Sequence, residues 1–513
     1  MHLVRGVGLR PIQQLGNVMR NYVMRNYVMR GIRRLVAGAQ TDDSRRQNKV
    51  EKTYDVTIIG AGPGGYVAAV RAAQLGLNVA LVEKEHLGGV CLNWGCIPTK
   101  ALLRNAEVIS LLKRGKDFGF TVDGFEVDFG AAVDRSRKVS RRLVKGVGAL
   151  MRKNQVEVIE GTGALKSPTA VEVTLNEGGT RTLATRNVII ATGGQARTIP
   201  GIAVDGERVM TYREAIVLRE LPASAVIVGA GPIGMEFAHV WSSYSADVTV
   251  VEMLPHAVPL EDEEISKEVE RAFKRRKVKV LTSTRVQGVE TTADGVRVNV
   301  SSKKGEQVIE AERALIAIGV RPNSQNLGLE EIGVQVERGN IVVDKAMRTN
   351  VPGVYAIGDV TGKLALAHVA SAQGIVAVET IAGKETVTLD YEAMPRCTYC
   401  QPQVGSFGIT KAQAVERGHE VQVGKFPFRA NGKALGLGDY DGFVKIVADS
   451  TSGEILGAQL VGPEVTELLP ELVLARNWEL TPEEIARTVH AHPTLSEVLM
   501  EAAHGVFGKP IHI

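Results

Sequence analysis

Only four cysteines occur in 513 residues: Cys91, Cys96, Cys397 and Cys400. That is too few for a secreted disulfide scaffold. It suits a reducing compartment, where a disulfide is more often catalytic than structural. Long apolar runs are missing as well, since none approaches the ~18 residues of a transmembrane helix. Acidic residues are missing from the beginning of the chain. Residues 1–50 hold ten Lys/Arg against two Asp/Glu, a net +8, whereas residues 51–513 hold 51 against 55, a net −4. The overall +4 therefore belongs to the N-terminus, which excludes a basic, nucleic-acid-binding body.

That basic start has two readings. Arg-rich and free of acids up to Asp42, it resembles a mitochondrial presequence. However, Arg20, Arg25 and Arg30 are five apart and wind around a helix instead of lining one face. The stretch NYVMR at 21–25 also recurs at 26–30, as expected of non-coding sequence translated from a start codon read too early, with Val50 as the alternative initiator. Either way, residues 1–50 are expected to be a disordered extension outside the fold.

Glycine is abundant, with 55 residues in the chain, well above the ~7% average, which points to tight turns and phosphate-cradling loops. Two of those loops repeat each other. In YDVTIIGAGPGGYVAAVRAAQLGLNVALVEK (54–84) a continuous apolar strand runs into Gly60, Gly62 and Gly65, a helix over 64–75, and a second strand ending in Glu83. In SAVIVGAGPIGMEFAHVWSSYSADVTVVEM (224–253) the same pattern returns with Gly229, Gly231, Gly234 and Glu252, at a constant offset of 169 residues. A single GxGxxG is weak evidence. Two copies, each between apolar strands and each with an acid 18 residues after the third glycine, form a dinucleotide fingerprint used twice. The first glycine allows the turn, the second lets the backbone approach a pyrophosphate, and the third lets helix and strand pack closely. The helix N-terminus offers free N–H groups and a positive dipole end to the phosphates. A carboxylate at the second strand's end can accept both ribose hydroxyls, and Glu252 would repel a 2′-phosphate, which favours NAD over NADP.

Between the two fingerprints lies GGVCLNWGCIPTK (88–100). Five residues along a regular helix would hold Cys91 and Cys96 roughly 8.6 Å apart, beyond the ~7 Å that a disulfide tolerates. A bond therefore requires a bend, which Gly95 permits. So small a loop gives little chain-entropy stabilisation, and a reducible bond suits catalysis better than a staple. No further ligands stand at zinc spacing, so no metal site is expected. The pair opens a helix, where the dipole favours a thiolate, and Lys100 follows one turn later. Near the other end, HAHPTLSE places His492 five residues before Glu497. Pro493 interrupts local helix, and Glu497 can accept one ring N–H and leave the other nitrogen basic. His490 receives no role. Cys397 and Cys400 read as buried, inert thiols on a strand.

GAGPGG, GGVCLNWGCIPTK, GAGPIGME, AIGD and HAHPTLSE, in that order across 51–513, resemble the pyridine nucleotide–disulfide oxidoreductases. Within that family the likeness is greatest to members that oxidise a lipoyl dithiol. The resemblance implies FAD on the first fingerprint and NAD on the second. It implies that Cys96 is the sulfur beside the flavin and Cys91 the interchange sulfur, and that Lys100 contacts the flavin and pairs with Glu236. By the same resemblance Gly163, Thr192, Asp359 and Ala367 line FAD, and Val286 and Gly319 line NAD. His492 and Glu497 would reach the disulfide of the other subunit, so a homodimer is expected.

The expected fold is α/β: two Rossmann-like dinucleotide-binding domains plus a C-terminal α+β dimerisation domain. The boundaries are 51–200 for FAD, 201–323 for NAD, 324–390 for a central segment completing the FAD domain, and 391–513 for the dimer interface. The expected activity is oxidation of a lipoyl arm, carried on an acyltransferase or H-protein of a 2-oxoacid dehydrogenase or glycine cleavage complex, with reduction of NAD. The alternative is a reductase of the same family, running from NAD(P)H to another disulfide or a metal ion. No nucleic acid and no membrane is expected as partner. NWGCIPTK resembles bacterial members more than mitochondrial ones, which implies the cytoplasm, with the mitochondrial matrix as the alternative.

Overall fold

The fold is that of a computed structural model, which describes residues 52–513; both readings of the N-terminal extension lie outside them. Strand Thr53–Ile59 lies at the centre of a parallel sheet. It pairs with Val79–Glu83 on one side and with the end of Thr180–Ile190 on the other. Glu157–Ser167 and Val354–Ala356 extend the sheet in the same direction at its two flanks. Val56, Ile58 and Ile59 are all but fully buried, because helices cover both faces of a parallel sheet and leave no polar side for alternation.

The second fingerprint builds the same object. Ser224–Val228 pairs in parallel with Asp247–Val251 and with Arg313–Ile316, and Lys279–Leu281 and Val209–Met210 close the flanks. The pairing of Ile59 with Val82 recurs as that of Val228 with Val251, at the 169-residue offset of the glycines. In each unit an antiparallel three-stranded excursion, Glu157–Ile190 or Thr284–Ala311, precedes or includes the strand that closes the site. The glycine-bearing segments that leave the two closing strands, residues 191–196 and 317–322 (the glycine exits of the two units), then meet. Gly194–Ala196 pairs antiparallel with Val320–Pro322, so one short ladder joins the two nucleotide units.

The third layer is an antiparallel five-stranded sheet ordered Arg396–Thr398, Gln403–Gly408, Ile455–Gly462, Phe443–Asp449, Val421–Pro427. Helices Val465–Asn477 and Glu497–Val506 cover its apolar face around Phe407, Phe426, Ile446 and Leu460. Lys445, 3% exposed, ties this sheet to the second nucleotide unit by bonding Asp262 and Glu264 at the start of helix Glu263–Arg275. The stretch RCTYCQPQVG is a hairpin and not a single strand: Cys397 lies within the short strand Arg396–Thr398 and Cys400 sits in the turn.

The glycines of the two fingerprints divide their work identically. Gly60 and Gly229 have φ of +102° and +106°, and a Cβ there would strike the carbonyl oxygens of Ala191 and Ala317 at 2.3 and 2.5 Å. A Cβ at Gly65 or Gly234 would lie 1.8 or 1.9 Å from the oxygen of Gly60 or Gly229. At Gly62 and Gly231 it would meet nothing within 4 Å. Gly234→Ala is therefore expected to cost more than about 2 kcal/mol by overpacking, whereas Gly231→Ala stays within about 0.5 kcal/mol. Thermal melts of the two variants check this, and equal losses would contradict the division.

Candidate active site

The cysteines sit where two helices fail to become one. Cys91 is on the short helix Gly89–Asn93; Gly95, at φ −123° and ψ −114°, breaks the path, and Cys96 is the first residue of helix Cys96–Lys113. The bend expected at Gly95 is present. It is held from several sides. Asn93, 5% exposed, donates through Nδ2 to the carbonyls of Leu87 and Gly89. Arg137 donates to the carbonyl of Asn93. The Thr99 hydroxyl and amide both donate to the carbonyl of Gly95. Arg213 lies 3.8 Å from the ring centre of Trp94.

Both cysteines are free thiols here, and their environments differ. The hydrogen bond from Cys91 is the largest influence on Cys96; together with Lys100 it outweighs burial and brings the Cys96 thiol down to about 7. Cys91, as the donor of that bond and itself buried, is pushed well above the ordinary thiol range. In the dithiol Cys91 is thus the donor, and the helix N-terminus and Lys100 favour the thiolate at Cys96.

Lys100 is fixed by Glu236. Its Nζ lies 3.1 and 3.0 Å from the two carboxylate oxygens, and Oε1 also accepts from the amide of Tyr399 at 2.9 Å. The ammonium stands 4.3 Å from the centre of the Tyr399 ring. Glu236 is on the second fingerprint helix, Pro232–Ser243, and is 5% exposed. The pair therefore joins the cysteine helix, the second nucleotide unit and the C-terminal hairpin.

The remaining candidates are spread along the two nucleotide units. Glu83 accepts from the amides of Ala61 and Glu85, and Glu252 from those of Ala230 and Leu254. Both carboxylates brace their own glycine loop, a duty the ribose reading did not include. Helices Pro63–Gln74 and Pro232–Ser243 begin at Gly62 and Gly231 with no side-chain cap, which leaves amides and open space for a pyrophosphate. Asp359, in the turn Gly358–Thr361, has its carboxyl raised to about 6 by burial, as fits a group awaiting a hydroxyl partner. Thr192 has its hydroxyl on the carbonyl of Asn323 and its carbonyl on the Asn323 amide, so it links the two exits. Gly163 leaves room for Ile59 and Val82, whose side chains lie 3.2 and 3.3 Å from a Cβ built there. Ala367 begins helix Ala367–Ile381. Val286 precedes the bulge of its strand, and Gly319, at φ +96°, has open space where a Cβ would be. Two free helix starts, two braced carboxylates, and Asp359 beside the joined segments are features that could hold two dinucleotides. Among the described residues no group of three or more His, Cys, Asp or Glu is placed to hold a metal ion.

His492 and Glu497 form the expected dyad. Nδ1 lies 2.8 Å from Oε1 of Glu497, whose other oxygen accepts from the amide of Thr494 at 2.8 Å. Burial opposes the charge on Glu497, but those two bonds outweigh it and hold the carboxyl below its usual range. The imidazole is 79% exposed. The chief influences on Cys91 in its own chain are Cys96, burial and Lys100; the dyad is not among them. His490 is engaged separately, by Glu471 and the carbonyl of Thr488. Burial raises the Cys397 thiol to about 11 and the Cys400 thiol to about 12; Cys400 is fully buried, while Cys397 is only half-buried. Sequence reasoning missed Asn93, Arg137, Arg213, Asn323 and Tyr399. Of these, Asn93 lies inside GGVCLNWGCIPTK and Tyr399 inside the CxxC; the others lie in no motif singled out above.

Residues 54–374 match the family described as pyridine nucleotide-disulphide oxidoreductase, and residues 394–503 its dimerisation domain. Dihydrolipoyl dehydrogenase of Mycobacterium tuberculosis is 53% identical over 462 residues, covering 90% of this chain and 99% of that one. The enzyme of the same name from Corynebacterium glutamicum is 50% identical over 467 residues, with the same shares covered. Among solved structures, LpdA of M. tuberculosis superposes with a TM-score of 0.82 at 29% identity, over 88% of this chain and 98% of that one. The copper complex of the HOCl-induced flavoprotein disulfide reductase RclA of Escherichia coli gives 0.79 at 27%, over 88% and 99%. Two nucleotide-ready loops, a cysteine pair between them and these matches lead to one placement: the chain belongs to the pyridine nucleotide-disulphide oxidoreductase family.

Proposed function

We propose that the protein oxidises a protein-borne dihydrolipoyl arm to the disulfide and passes the electron pair to NAD+ through the Cys91–Cys96 pair and FAD. The observation that carries the reading is the placement of the two sulfurs: Cys91 ends up on the short helix, and Cys96 opens the next helix one turn from the Lys100–Glu236 pair. The curated relatives of the same activity support it, and the matched dimerisation domain supports a homodimer. Those relatives are bacterial, which favours the cytoplasm. Among the described residues no helix is long and apolar enough to cross a membrane.

With the pair oxidised, the reaction begins at the arm. His492 of the partner subunit, its Nδ1–H fixed on that subunit's Glu497, takes a thiol proton at Nε2. The substrate thiolate attacks Cys91 Sγ and forms a mixed disulfide, while the Cys91–Cys96 bond breaks and Cys96 leaves as a thiolate that Lys100 stabilises. The second substrate sulfur then displaces Cys91, giving oxidised lipoyl and the enzyme dithiol, so two thiols and one disulfide exchange places. FAD, when bound to the first unit, supplies the two-electron acceptor that returns the pair to the disulfide and passes a hydride to the nicotinamide. Gly60, Gly62, Gly65, Glu83 and Asp359 would hold it, and Gly229, Gly231, Gly234 and Glu252 the NAD. The lipoylated acyltransferase or H-protein remains the proposed partner.

The holoenzyme is expected to reduce NAD+ with dihydrolipoamide, and Cys91→Ser, Cys96→Ser or His492→Gln to lose at least ~100-fold in kcat. Turnover of glutathione disulfide with NADPH, without dihydrolipoamide oxidation, would instead establish the reductase reading. The Cys96 thiol is depressed, so its thiolate is present above about pH 7 and is lost as pH falls through that value. Thiolate absorbance in Cys91→Ser, where the serine still donates, should titrate near pH 7. In Cys91→Ala it should move up toward the ordinary ~8.5. Identical titrations in the two variants would remove the hydrogen bond as the cause.

A further inference from the structure

One helix carries more charge than the proposed reaction uses. Phe129–Lys153 holds eight Lys/Arg and one Asp, a net +7, while residues 51–513 as a whole net −4. At about 100° per residue, Arg135, Lys138, Arg141, Arg142, Lys145 and Arg152 fall within an arc of about 120° and run for roughly 25 Å. All six are exposed. The opposite arc is the buried one, through Phe129, Ser136, Ser140, Val147 and Met151. The helix's one acid, Asp134, is taken by Arg219, and among the described residues none of the six forms an ion pair. Like charges three and four apart each cost a helix about 0.2–0.5 kcal/mol. Among the described residues no acid is paired with the stripe, which leaves it free to meet a counter-charge from outside.

The stripe is also beside the cysteines. On one border of it Arg137 donates to the carbonyl of Asn93, and a Cβ at Gly148 would sit 3.7 Å from Leu87. Leu87 and Asn93 bracket the Cys91 loop. On the other border Leu143 and Leu150 are 42% and 41% exposed, apolar contacts that suit a protein surface at the centre of an interface. A long polyanion such as nucleic acid would also meet the acidic remainder of the body, whereas a compact acidic domain need touch only the stripe. We infer that this helix face docks an acidic protein domain that presents its dithiol arm to Cys91. The inference rests on the lipoyl reading above.

The test compares the holoenzyme with its K138E/R142E/K145E variant on two substrates: free dihydrolipoamide, and a recombinant dihydrolipoyl domain of net negative charge. With free dihydrolipoamide the two enzymes should agree within about twofold. With the domain, the variant should lose at least about tenfold in kcat/KM, mostly in KM. The wild-type rate should fall steeply with salt, while the variant's should not. An unchanged domain rate, or an equal loss on both substrates, overturns the docking face. So does unaffected domain turnover together with stripe-dependent binding of duplex DNA or of phosphatidylserine vesicles. Failure of the wild type to oxidise free dihydrolipoamide would instead overturn the proposed function, which keeps the two failures distinct.

Discussion

The bidentate pair between Lys100 and Glu236 is the constraint on which the arrangement depends. Lys100 leaves the cysteine helix, Glu236 leaves the second fingerprint helix, and the amide of Tyr399 reaches the same carboxylate from the C-terminal hairpin. Three elements far apart in sequence are thereby fixed at one point. Buried ion pairs are poor sources of net stability, because desolvation consumes most of the attraction. Removing the lysine is different, since it leaves the buried Glu236 carboxylate without its counter-charge. The value of the pair is positional: it sets a cation one turn from Cys96, where it helps to hold a thiolate that burial alone would protonate.

The same economy appears in the fingerprints. Glu83 and Glu252 stood out in the sequence as candidate ribose acceptors because each is an acid at a strand end, 18 residues beyond the third glycine. The bonds they make to the amides of Ala61 and Ala230 were not legible, since a backbone amide has no letter in the sequence. The glycines were read correctly for the opposite reason. The lack of a side chain is itself the signal, and each of the three positions fails or succeeds with a Cβ for a separate reason. The parallel strands were equally plain, because burial on both faces writes a continuous apolar run.

What escaped reading lies in contacts across the chain. Arg137 reaches Asn93 across 44 residues, Thr192 reaches Asn323 across 131, and Tyr399 reaches Glu236 across 163. No local periodicity marks such partners. The CxxC at 397–400 misled for a related reason: read as a strand, it is a hairpin whose turn buries Cys400. The distinction between Cys91 and Cys96 also needed structure. On paper they are two cysteines five apart; in the fold the break at Gly95 puts one on a short helix and the other at the N-terminus of a long one.

That inequality bears on why the reaction would need two chains. Lys100 lies one turn from Cys96, the sulfur that leaves, and the chief influences on Cys91 in its own chain are Cys96, burial and the same lysine. In the proposed reaction the proton acceptor for the incoming thiol is supplied by the partner subunit. His492 is fixed by Glu497 yet 79% exposed, an arrangement that spends a positioned base on solvent unless a second subunit covers it. In the proposed reaction the exposed dyad of one chain and the thiol pair of the other are complementary, and a two-fold axis through the matched dimerisation domain would serve both with one contact surface.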